Sequence, residues 1–232
     1  NATAFQELSK RVAKETQVLQ KVSKWWVWRW IVILLKYGTK KKPGERFLAV
    51  SAATKVVGCP TPILKLAHSA FPHQILEPSY DDDQLLPLHR VCSWPCDLDC
   101  TSSNSMIPSR KSMAIQSLLQ HYQQGAAIPN GNNELPLELA LSTRTTWDLG
   151  VRKLCRAYPQ ALLKRSSETG LFPFMTAAVA AGETLRNQPP FPKSKRSLMS
   201  YLKNLARQDT HSVRTIYGLL RSNPDVLSDC FK

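Results

Sequence analysis

His89, Cys92, Cys96 and Cys100 bring one imidazole and three thiols into the stretch LLPLHRVCSWPCDLDC. These are the side chains that ligate zinc, and three residues between successive cysteines would suit one helix face. The pattern fails on two points. Zinc sites favour cysteine pairs, usually with a second pair further on. Pro95 also falls between the cysteines and interrupts any helix that would align them. The expectation is no metal, with these four residues as the ones that would hold it. Asp81, Asp82 and Asp83 lack the spaced oxygens of a calcium loop and read as a solvated turn. GTKKKPGE has glycines and lysines without the spacing of a phosphate loop. Neither G-x-S-x-G nor H-E-x-x-H occurs in the chain. No catalytic residue, cofactor or enzymatic activity is expected.

The elements that would position these residues recur along the chain. ILKLAHSAFPHQIL, AIQSLLQHYQQGAA, GVRKLCRAYPQALL and TIYGLLRSNPDVLS align on Pro72, Gln123, Pro159 and Pro224. Leu64, Ile115, Val151 and Ile216 then share one position, and Ala67, Leu118, Leu154 and Leu219 another. Apolar residues three and four apart form one buried helix face, and proline is expected to stop the helix. Between these helices stand LPLHRVC (86–92), LPLELAL (135–141) and FPFMTAA (172–178). In each, proline is pre-set for the first helical turn. Turn-formers precede each copy. The unit reads turn, short helix, loop, second helix, stop.

Leu86-Pro87-Leu88-His89 carries three of the four letters of the ankyrin signature T-P-L-H, and the unit resembles the ankyrin repeat. SSETGLFP resembles the turn leading into an ankyrin helix, with Gly170 at its unusual backbone angle. IVILLKYG (31–38) resembles a second helix and the glycine that ends it. The likeness is closest to a divergent, long-loop type found in algal proteins. It implies an all-α fold, a curved solenoid of helix-turn-helix, ankyrin-like repeats with irregular insertions. It also makes His89 the signature histidine and Cys92 a core residue aligned with Leu141 and Ala178. The signature threonine is replaced by Leu86, Leu135 and Phe172, and the histidine by Glu138 and Met175, so regular fingers are not implied.

Four segments follow from this reading. Residues 1–44 form a basic N-terminal helical segment that includes the second helix of a first half-repeat. Residues 45–182 hold ankyrin-like repeats. Residues 183–212 are a basic, proline-containing insertion with an extra helix over 197–208. Residues 213–232 carry the terminal repeat helix. The net charge of +14 is unevenly spread: residues 1–44 carry ten Lys/Arg against two Glu, and residues 189–221 carry seven against one Asp. Residues 45–188 are nearly balanced. WWVWRWIVILL (25–35) is too short to span a membrane and contains Arg29. Six cysteines in a chain with core enough to fold without staples are expected as free thiols. An intracellular protein, cytoplasmic or nuclear, is therefore expected.

The function expected is a protein–protein interaction scaffold presenting a helical-repeat surface to an acidic protein. The alternative is a nucleic-acid or anionic-surface binder using segments 1–44 and 189–221. The candidate partner-binding residues are Lys40, Lys41, Lys42, Lys193, Lys195 and Arg196.

Overall fold

The computed structural model describes residues 29, 31–33, 48–79, 84–95, 110–186 and 195–226. The described residues are helical, with no strand among them. Helix α1 spans Ala49–Lys55 and α2 Thr61–Ala70; α3 spans Pro87–Cys92 and α4 Arg110–His121. Helix α5 spans Pro136–Ser142 and α6 Arg152–Ala157; α7 spans Pro173–Arg186 and α8 Lys195–Ser222. Each odd-numbered helix packs on the even-numbered helix that follows it. The odd helices also pack in succession, α1 on α3, α3 on α5 and α5 on α7. The even helices do the same, α2 on α4, α4 on α6 and α6 on α8. One continuous core runs between the two rows, through Ile63, Leu64, Val91, Ile115, Leu118, Leu137, Leu141 and Leu154.

The second helices end alike. Phe71, Tyr122 and Tyr158 leave the helix with φ between −134° and −150° and ψ between 66° and 86°. Each still donates its amide to the carbonyl four residues earlier, at Ala67, Leu118 and Leu154. Proline does not simply stop the chain's helicity here. It opens a 3-10 turn, Pro72–Ile75 and Pro159–Leu163, and Gln123–Ala126 makes the same turn without proline. Proline tolerates the first position of such a turn because its missing amide has no partner there.

The approach loops also share one geometry. Ser79, Asn130 and Ser166 donate their amides to the carbonyls of Leu85, Glu134 and Leu171, each two residues before the helix-opening proline. Gln84, Asn133 and Gly170, each three residues before that proline, have positive φ of 46°, 63° and 68°. Glycine is strain-free in this region and asparagine tolerates it; glutamine does not favour it, so the loop closure must hold Gln84 there.

The C-terminal part differs from the expected division. The helix expected over 197–208 and the terminal repeat helix form one uninterrupted α8 of 28 residues. No proline or glycine lies between Lys195 and Tyr217, so nothing in the backbone requires a break. Likewise α7 runs on through Arg186, past the expected boundary at 183. Ala178 is exposed, although Cys92 and Leu141 at the equivalent positions are buried. The reason is its place in the array: among the described residues no odd-numbered helix follows α7.

Helix α8 seats on the Trp147–Val151 turn through Gly218. A Cβ at Gly218 would lie 2.5–2.7 Å from the Trp147 indole. Thr215 Oγ accepts the Trp147 amide at 2.9 Å beside it. Gly218→Ala should gain about 1 kcal/mol of helix propensity and lose more to overpacking. We expect net destabilisation of about 1–2 kcal/mol, read from chemical denaturation. A variant more stable than the parent would show that the ring slides away freely.

Candidate interaction surface

The four candidate metal ligands divide. Cys96 and Cys100 lie outside the described residues. His89 and Cys92 are both buried in α3. The N-terminal end of α3 explains His89. With Leu86 at the cap position, no hydroxyl is available, and His89 Nδ1 accepts the Leu86 amide at 3.3 Å instead. A nitrogen that accepts is unprotonated, so the ring proton sits on Nε2. Nε2 faces the backbone carbonyls of Ile128 and Glu134 without reaching hydrogen-bond geometry to either. Burial first, opposed by those carbonyls, lowers the His89 pKa to about 4. Glu138, at the equivalent position of α5, does the same work: its Oε2 accepts the Leu135 amide at 2.7 Å. The two side chains look unrelated in the sequence, yet each satisfies a donor left over at a helix start.

Cys92 Sγ is fully enclosed, and burial pushes its thiol up to about 12, opposed by the nearby Lys111 ammonium. Cys59 and Cys155 are raised to about 12 by burial as well. All three are free thiols held protonated, which suits neither nucleophilic nor metal chemistry. Among the described residues no group of three His, Cys, Asp or Glu side chains is placed to hold a metal.

One serine–histidine contact has the look of a nucleophile and base. His68 Nε2 lies 3.1 Å from Ser117 Oγ, and the His121 ring stands 4.1 Å from that of His68. Both Ser117 and His68 are buried, and no acidic group is among the causes that shift His68. Burial, then the charges of His121 and Lys65, lower the His68 pKa to about 4. The contact ties α2 to α4.

Lys111 is the unexpected polar centre. It is buried at the start of α4, and its Nζ donates to the Trp94 carbonyl at 2.6 Å and to Thr143 Oγ at 2.8 Å. Trp94 Nε1 in turn donates to the Thr54 carbonyl at 2.8 Å. The C-terminal ends of α1, α3 and α5 are thereby chained together, with a cation where helix carbonyls converge. Neither lysine nor tryptophan at these positions signals this in the sequence, because the partners lie 17 to 40 residues away.

On the surface, neighbouring approach loops touch. Ser167 Oγ donates to the Asn132 carbonyl at 3.1 Å, and Lys164 Nζ reaches the Asn133 carbonyl at 3.4 Å. Where α4 and α6 end, His121, Tyr122, Gln123, Gln124, Ala157 and Tyr158 line an open groove of about 550 Å³. Of the candidate partner-binding residues, Lys40, Lys41, Lys42 and Lys193 lie outside the described residues, and Asp81, Asp82 and Asp83 do also. Lys195 and Arg196 open α8. No helix among the described residues is long and apolar enough to cross a membrane.

No family model matches the chain, and no curated protein or solved structure is significantly similar to it.

Proposed function

We propose that this chain is a protein–protein interaction scaffold with no catalytic chemistry of its own, built as a solenoid of ankyrin-like helix pairs. The observation that carries the reading is the threefold recurrence of the approach loop. Each copy has the same backbone closure and a left-handed residue three before the proline. The packing of odd helices in one row and even helices in another supports it further. Such arrays bury a continuous core and display loops and helix ends as an extended binding surface. The tyrosine-lined groove and the contacting loops are the surfaces that fit this role. Enclosed thiols with raised pKa values are in keeping with a reducing, intracellular setting, cytoplasmic or nuclear.

The charge distribution favours a second reading, in which basic segments 1–44 and 189–221 bind nucleic acid or an anionic surface. One variant separates the two, with Lys40, Lys41, Lys42, Lys193, Lys195 and Arg196 changed to Gln. The partner is captured from the source cell and purified. If the repeat surface recognises it, association with this variant slows and loses salt dependence while dissociation holds nearly constant. Outright loss of binding, with an equal loss on random oligonucleotides, would replace the scaffold reading with the second one.

A further inference from the structure

Asn130-Gly131 is the single Asn-Gly pair in the chain, and it opens the approach loop of α5. This pair is the dipeptide most prone to lose the asparagine amide. Glycine has no Cβ to hinder its nitrogen, so that nitrogen can close a five-membered ring on the neighbouring side-chain carbonyl carbon. The loop treats the two residues differently. Gly131 is exposed, whereas Asn130 is only 7% exposed.

The Asn130 amide is held at both ends. Its Oδ1 accepts the amides of Asn132 at 3.0 Å and Glu134 at 2.8 Å. Its Nδ2 donates to Glu134 Oε2 at 2.8 Å. The backbone closes around it, with Asn130 N donating to the Glu134 carbonyl and Asn133 N donating to the Asn130 carbonyl, both at 3.0 Å. Ring closure turns Cγ from planar to tetrahedral and carries Oδ1 out of the amide plane. Its two donors would have to follow, and Glu134 is itself tied back to Asn130 through its carbonyl. Water reaches the Gly131 amide, but the folded loop denies that nitrogen its approach to Cγ.

We propose that Asn130 is a deamidation site held in check by the fold, and that its conversion opens the second approach loop in one direction only. The Gly131 nitrogen, losing its proton, bonds to Asn130 Cγ, and the Cγ–Nδ2 bond breaks. Nδ2 leaves as ammonia with that proton, and a succinimide remains. Water then opens the ring at either carbonyl, giving aspartate or isoaspartate. The net change is one water taken up and one ammonia lost, with no oxidant or reductant. Aspartate sets a carboxylate against that of Glu134, where the amide had donated, and like charges there repel. Isoaspartate adds a carbon to the backbone between the two residues, so the closing bonds no longer fall in register. Either product loosens the loop that carries the Asn132 carbonyl, which accepts Ser167 Oγ, and the Asn133 carbonyl, which Lys164 reaches. The contact between neighbouring loops goes with it. The site thus records time spent with the loop open, whatever the chain binds.

The test ages the whole chain at one neutral pH, folded and in guanidinium chloride. Tryptic peptide 112–144 carries Asn130. Mass spectrometry follows its gain of OH for NH2, and fragmentation assigns the position and separates the two products. Conversion at Asn130 should run at least tenfold faster in denaturant than in the folded chain. Equal rates, or faster conversion at Asn132 or Asn133, would overturn the proposal. Gly131→Ala should slow conversion in denaturant at least tenfold, because its Cβ hinders the attacking nitrogen; an unchanged rate excludes the succinimide route. Asn130→Asp stands in for the aspartate product. It should speed hydrogen exchange of the Asn132 and Glu134 amides at least tenfold, and adding Glu134→Gln should reverse most of that, since a glutamine amide can donate to the new carboxylate. If exchange in Asn130→Asp matches the parent, or Glu134→Gln restores nothing, the loop does not open by this means.

Discussion

Lowering the pH from 7 to 5 is expected to cost this fold about 2 kcal/mol through each of His68 and His89. Both rings are buried and neutral, with pKa values lowered from 6.5 to about 4. The unfolded chain takes up a proton at each below about 6.5, and the folded chain resists until about 4. Stability therefore rises with pH across this window and is lost as the pH falls through it. Glu138, raised by burial, acts in the opposite sense above its ordinary value. Comparing two chains that both keep Glu138 cancels its contribution. The informative variant is His89→Gln, because a glutamine can accept the Leu86 amide as Glu138 accepts that of Leu135. Urea midpoints of parent and variant, taken at pH 7, 6 and 5, should show the variant losing about half as much stability. Parallel curves would mean that His89 titrates equally in both states and is not enclosed as described.

Leu118→Ala and Leu154→Ala should each destabilise the protein by about 2–5 kcal/mol, the range for buried leucines that leave a cavity. Both are 1% exposed, and each accepts the amide of the tyrosine that ends its helix. The cost should be larger for Leu118, which lies mid-way along the core on a twelve-residue helix. Leu202→Ala is the control. It removes the same atoms from a side chain exposed by 43% and should change stability by no more than about 0.5 kcal/mol. Chemical denaturation of the three variants decides the matter. If Leu118→Ala and Leu154→Ala behave like Leu202→Ala, neither position faces a core.

Helical periodicity and proline placement made the helix pairs legible before any coordinates, because both act over a few residues. Leu64, Ile115 and Val151 fall on one buried position, as do Ala67, Leu118, Leu154 and Leu219. Gly170 was readable as the left-handed residue of its loop, since glycine carries that preference in its own chemistry. Gln84 and Asn133 were not, because loop closure imposes the angle on them. The cysteine cluster shows the same division. Composition could nominate His89, Cys92, Cys96 and Cys100. Only the fold turns His89 into the acceptor for Leu86 and encloses Cys92 beside Lys111.

The sequence by itself determined the helical character of the described residues, the recurring unit and the segregation of charge. Each follows from spacing, residue type or count. The tertiary structure alone decided the Lys111–Trp94–Thr54 chain, the enclosure of His89 and Cys92, and the seating of Gly218 on Trp147. Those depend on groups distant in sequence meeting in space, and on which neighbour is present to cover a helix face. Local pattern carries no record of either.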